Sequence, residues 1–274
     1  GDALTTGEKN TYVGYAAGTT DDVGSRNVGI GRAALGALNY ATATSGNNTA
    51  VGYDVGFTLS VGIDNCLFGS NAGYALTDAD DNVVVGRSAL ATDTKGSRST
   101  AIGNLALQNQ NFTTATNTYN TAVGYNAGND VTTGTHNTLV GGLAGDAITV
   151  GVGNVAMGYN ALSTDTGGQD SVAIGTQALR DQNFSSGTRP SNIAIGLNAG
   201  LAITSGINNT IIGTFAADSL TDADNNTVVG KSALVTDTLG SRSTAIGSTA
   251  LQYQNFTTAT VSYNTAVGYG AGNA

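Results

Sequence analysis

One nine-residue phrase recurs fifteen times along the 274 residues, and its period constrains the fold more tightly than composition does. Asn120-Thr121-Ala122-Val123-Gly124-Tyr125-Asn126-Ala127-Gly128 is one copy: a polar residue, an apolar pair, a glycine, then a small residue three further on. The phrase glycines are Gly14, Gly31, Gly52, Gly69, Gly86, Gly103, Gly124, Gly141, Gly158, Gly175, Gly196, Gly213, Gly230, Gly247 and Gly268. Their spacing runs 17, 21, 17, 17 and then begins again, so four phrases make a 72-residue unit. Residues 76–128 and 220–272 agree at 42 of 53 positions, the mark of a duplicated two-unit block. A fixed period of this size implies stacked repeats that bury their core against one another.

With the phrase glycine as position zero, position −4 is Asn in 12 copies and Ser in three (Ser99, Ser171, Ser243). Position −3 is Thr or a Val-like residue, −2 is mostly Ala, −1 is always apolar, and +3 is Ala except at Val55. Period-two alternation with β-branched residues is strand chemistry. The Asn, Asp, Thr, Ser and Gly between phrases form turns. No 3.6-residue period occurs, which argues against helix. The forty glycines follow no Gly-X-Y period, which excludes collagen.

The expected fold is therefore all-β: a parallel β-solenoid (β-roll) of about 15 coils, running over residues 1–274 as one continuous repeat region. At about 4.8 Å per coil it would form a rod of roughly 70 Å. The apolar residues at −1 and −3 are expected to face the coil interior, and the small −2 residues to face a neighbouring chain. Asn48, Asn65, Asn82, Asn120, Asn137 and Asn154 are expected to stack into an amide ladder. A coil this thin buries little apolar area, at roughly 25 cal/mol per Å². Lateral association into a parallel homotrimer is the expected remedy.

Every fourth coil is longer by four residues and carries an aromatic at the same offset: Tyr40, Phe112, Phe184 and Phe256. Each either plugs the gap beneath its loop or marks a recognition or packing point. Asn111, Asn183 and Asn255 begin Asn-Phe-Thr/Ser triplets, the form of an N-glycosylation acceptor. Thr-Asp recurs in register at Asp21, Asp93, Asp165 and Asp237, three times followed by Gly-Ser-Arg. A turn with a surface Asp–Arg pair is the expected structure, worth under about 1 kcal/mol.

Alternate carboxylates at Asp78 and Asp80, and again at Asp222 and Asp224, are the only calcium candidates, without an EF-hand's Gly or bidentate Glu. His136 is the single histidine and has no ligand set around it; Cys66 is the single cysteine and reads as a small buried thiol. No cofactor, metal or catalytic residue is expected. A net charge of −9 with no basic cluster excludes nucleic acid as a partner. No apolar run reaches the length of a membrane span, so no membrane insertion is expected. No signal peptide is visible, and the chain opens and closes in mid-phrase, which reads as a window from a longer array.

Two resemblances attach to these phrases. Ser171-Val172-Ala173-Ile174-Gly175 resembles the head repeats of YadA-like trimeric autotransporter adhesins, whose heads are trimeric parallel β-rolls. Asn120-Thr121-Ala122-Val123-Gly124-Tyr125 resembles the repeats of bacteriophage tail-fibre and related extracellular fibre proteins. The likeness spans the chain and is specific for architecture, though the periodic 21-residue coil departs from both. It implies a non-enzymatic shaft or adhesive segment of an extracellular, cell-surface or virion fibre, with an adhesin head binding host matrix or surface glycans as the alternative. A polysaccharide-cleaving β-helix would need a carboxylate pair that breaks the repeat, and here the acids repeat too. An ice-binding solenoid would need an unbroken Thr ladder, and position −3 is interrupted at Val28, Cys66, Val83, Val155, Val172 and Ile193.

Overall fold

The structure, a computed structural model, describes residues 1–185 and 187–273. It is an all-β parallel solenoid of about fifteen turns, with no helix among the described residues, hence none long and apolar enough to cross a membrane. The chain divides into two compact units, Gly1–His136 and Asn137–Ala274.

In each unit the residues at −3, −2 and −1 form a three-residue strand, and successive strands pair in parallel without stagger. In the first unit Thr49, Ala50 and Val51 stand beside Cys66, Leu67 and Phe68. In the second, Val155, Ala156 and Met157 stand beside Val172, Ala173 and Ile174. The long coils keep this register: Thr100 pairs with Thr121 and Val172 with Ile193. The four extra residues are therefore looped out. Short pairs such as Gly96–Ser97 with Thr116–Asn117, and Gly240–Ser241 with Thr260–Val261, tie the far side of the loop back to the stack.

The phrase glycine is fixed by backbone and packing together. Gly69 has φ +132 and Gly141 φ +134, where an L side chain is strained. A Cβ on Gly69 would lie 2.6 Å from the Gly86 carbonyl oxygen, and one on Gly141 2.6 Å from that of Gly158. Glycines of adjacent coils touch backbone to backbone, so no other residue fits this column.

The faces of the strand are the reverse of the sequence expectation. Position −2 points inward: Ala50, Leu67, Val84, Ala101, Leu139, Ala173, Ile211 and Val228 are fully buried. Positions −3 and −1 point outward, with Phe68, Val85, Met157 and Ile195 exposed. The physical reason lies in what else enters the coil. The chain bends at left-handed residues at +2 and +4, such as Ser88 (φ 54) and Leu90 (φ 48), and this carries +3, +4 and +7 under the strand. The interior already holds Ala at +3 and, in many coils, Leu at +4, so a small −2 side chain is what fits.

Volume is traded between columns. Where −2 is Leu67, Leu139 or Ile211, position +4 is Gly73, Gly145 or Ala217; where +4 is Leu107, Leu162 or Leu179, position −2 is Ala. A close-packed interior of fixed cross-section demands this compensation. Position +7 sets the 72-residue period: two coils carry an aliphatic residue there, as at Leu59 and Leu76, and the next two carry Asp93 and Gln110.

Candidate functional site

The interior polar column is fully engaged. Asn65 donates its amide to Asn48 Oδ1 (3.1 Å) and to the Ala79 carbonyl (2.7 Å), while its own Oδ1 accepts from the Asn82 side chain and backbone, both at 3.1 Å. In the second unit Asn154 donates to Asn137 Oδ1 (3.3 Å) and the Gly168 carbonyl (2.8 Å), and Asn137 to the Gly151 carbonyl (2.8 Å). The ladder is not continuous. At Ser99 the short side chain admits Gln110 from the long coil, whose amide donates to Ser99 Oγ (2.9 Å) and to Asp93 Oδ2 (2.5 Å). Asn120 resumes the column by donating to Gln110 Oε1 (2.8 Å) and the Gly134 carbonyl (2.7 Å). Gln182 with Ser171, and Gln254 with Ser243, repeat this arrangement.

The Thr-Asp turns differ from expectation. Asp21, Asp93, Asp165 and Asp237 are fully buried, not surface partners of Arg. Asp93 accepts from the backbone N–H of Gly96 (3.1 Å) and of Phe112 (2.9 Å) as well as from Gln110. The arginine is drawn elsewhere: Arg98 reaches Tyr119 Oη (2.8 Å) and Asp81 (3.4 Å), and Arg242 reaches Tyr263 Oη (2.7 Å). The sequence fails to reveal this because the Gln that completes the site comes from the next coil, 17 residues on.

Of the long-coil aromatics, Tyr40, Phe112 and Phe184 are buried and Phe256 is half-buried; each fills the space beneath its loop. Asn111, Asn183 and Asn255 are exposed, and their Oδ1 atoms accept from Thr94 (3.4 Å), Thr166 (3.0 Å) and Thr238 (3.4 Å). Asp78 and Asp222 are exposed, whereas Asp80 and Asp224 each spend an oxygen on a backbone N–H of the preceding coil, Ile63 and Ile207, at 2.8 Å. Among the described residues no three His, Cys, Asp or Glu side chains come together to hold a metal ion. His136 lies beside the Tyr119 ring (5.3 Å between centroids), with Nδ1 3.0 Å from Thr135 Oγ1.

What remains as a candidate functional surface is the outer face of the strands. Two columns run along it, Thr or Val-like at −3 and Val, Ile, Phe or Met at −1. No charged residue occurs at −4 to −1 in any copy, although the chain carries 10 basic and 19 acidic residues. A contiguous apolar surface on a soluble chain marks an interaction site. Chemically this face can offer packing and hydroxyl hydrogen bonds, and nothing that transfers protons or holds ions. Comparison with known protein families, with curated proteins and with solved structures finds no match.

Proposed function

We propose that this chain is a structural shaft segment of an extracellular, cell-surface or virion fibre, and that three parallel copies pack through the outer strand face. The observation that carries the reading is the uncharged column of aliphatic residues at −1, outward where a lone chain leaves it wet: Ile30, Phe68, Val85, Ile102, Met157, Ile195, Ile212 and Ile246 are all exposed. Burying them against identical columns supplies the apolar area that a narrow coil cannot supply alone. Closed cyclic symmetry favours a trimer of such strips around one axis, and the resemblance to trimeric β-roll heads and tail-fibre repeats supports the same number. The lateral contact is thus assigned to −1 and −3, and the −2 column belongs to the coil interior.

The role is mechanical, not catalytic. Every acid in the polar interior repeats with the coil and accepts backbone and amide N–H groups, which serves stability. The test is the mass of the protein in solution, by light scattering or native mass spectrometry. A trimer is expected, and the double variant Ile195→Asp, Ile212→Asp should give a folded monomer because both side chains already point outward. A wild-type monomer at micromolar concentration would overturn the proposal.

A further inference from the structure

Immediately after the phrase glycine, one residue per coil stands on an outer ledge: Arg32, Tyr53, Arg87, Asn104 and Lys231 are examples. At residue 142 this position is glycine, and neither backbone nor packing explains it. Gly142 lies outside the left-handed region, unlike its neighbour Gly141 at φ +134, and a Cβ there would meet only Tyr159 Cδ2, at the ordinary contact distance of 3.7 Å. Its carbonyl accepts from the Asn160 backbone N–H (3.1 Å), a bond any residue could make. What the missing side chain does is leave open the space beside the Tyr159 ring, which is 54% exposed.

The same ledge shows what that space accommodates when it is filled. Arg32 occupies the position before Tyr53, and its guanidinium stands 4.9 Å from the centre of the Tyr53 ring. A side chain from the preceding coil therefore stacks on the tyrosine there, whereas at Gly142 that stacking partner is absent and the ring face is free.

We propose that Tyr159 over Gly142 is a stacking site for the ring of a neutral sugar. The C–H face of a pyranose carries partial positive charge and packs on the negative face of an aromatic ring, while its hydroxyls stay in water. That suits a shallow, solvent-open ledge. The surrounding residues, 140–143, 157–160 and 174–177, include no charge, so nothing there selects a uronate, a sialic acid, a phosphate or a cation. Asn160, Thr176 and Gln177 carry the polar groups available for the hydroxyls. The site does not depend on the shaft reading, since either can fail without the other.

The experiment is saturation-transfer NMR on the full chain, with maltotriose, chitotriose and mannotriose as neutral probes and a hyaluronan tetrasaccharide as the anionic control. Transfer to the ring protons of at least one neutral probe is expected. Tyr159→Ser and Gly142→Arg should each reduce it about ten-fold, the scale of one lost aromatic stack, while Tyr53→Ser leaves it unchanged. Gly142→Arg recreates the Arg32–Tyr53 arrangement and is expected to fold; Gly142→Ser is the smaller filling should the arginine disturb the coil, and is expected to weaken transfer. Absence of transfer from every neutral probe, transfer that survives these variants, or preference for the anionic control overturns the proposal. The stoichiometry measurement is unaffected by any of these results.

Discussion

Asn120 donates its side-chain amide to Gln110 across 2.8 Å, and 72 residues earlier the equivalent Asn48 donates to the hydroxyl of Tyr40 across 2.9 Å. One buried donor is thus satisfied in two different ways. In the later blocks the set is Ser99, Gln110, Phe112 and Thr118, repeated as Ser243, Gln254, Phe256 and Ser262; in the first it is Asn27, Leu38, Tyr40 and Gly46. The Tyr40 hydroxyl passes its proton to the Gly62 carbonyl (2.9 Å), and Asn27, longer than Ser, reaches Asn48 and Asp21 directly.

These four positions should behave as a unit. Gln110→Leu alone leaves Asp93 and Asn120 each short of a partner, and a buried unsatisfied group costs about 1–3 kcal/mol. Adding Ser99→Asn, Phe112→Tyr and Thr118→Gly imports the first block's solution. Urea unfolding is expected to show the quadruple variant recovering at least half of the loss from the single one. Additive losses across the four substitutions would refute the coupling.

The solenoid, its parallel register and the Asn column were legible in the sequence because each is written at every period. The direction of the strand faces was not. Val and Ile at −1 look like core residues by hydropathy alone, and only the residues contributed at +3, +4 and +7 show that the interior is already full. The buried role of Asp93 was hidden for a related reason: Gln110 and Phe112, which satisfy it, are its neighbours across coils and not along the chain. Periodicity reports which residues are equivalent; it does not report which side of the backbone they occupy.

Glycine substitutions separate structural from dispensable positions. Gly69→Ala places a Cβ 2.6 Å from the Gly86 carbonyl oxygen at φ +132, and a strained backbone of this kind costs on the order of 1–3 kcal/mol before the clash is counted. Gly142→Ala meets neither obstacle and is expected to change stability by less than about 0.5 kcal/mol. Thermal melts of the two variants measured side by side decide the matter, and equal losses would show that the phrase glycine is not fixed by this contact.

Alkali should act on the first block before the others. Burial pushes the hydroxyls of Tyr12 and Tyr40 well above the ordinary tyrosine range, with the Asp21 carboxylate raising Tyr12 further by its hydrogen bond and its charge. The folded chain keeps both protons at a pH where the unfolded chain, titrating near pH 10, has released them. The unfolded state then binds fewer protons, so stability falls as pH rises above about 10. Melting temperatures taken between about pH 9 and pH 11 should drop more steeply for the wild type than for Tyr12→Phe, Tyr40→Phe, in which both ionisable hydroxyls are gone. Parallel slopes would remove the assignment.

Cys66 reports on the proposed interface directly. It occupies position −3 on the outer face, paired in register with Thr49 on one side and Val83 on the other, and its thiol is free. The sequence reading of a buried thiol is therefore only half met, since the side chain is half-exposed in a single chain. If three copies close over this face, the thiol is buried in the assembly, and its reaction with a bulky maleimide is limited by dissociation. In the Ile195→Asp, Ile212→Asp monomer the same thiol is open. Labelling is expected to be slow in the wild type and faster by about ten-fold or more in the monomer, as for a site reached only through a minor open population. A control at Ser70→Cys, in a Cys66→Ser background, tests the ledge beyond the strand face. Equal labelling rates of Cys66 in the wild type and the monomeric variant would place the contact between chains on some other surface.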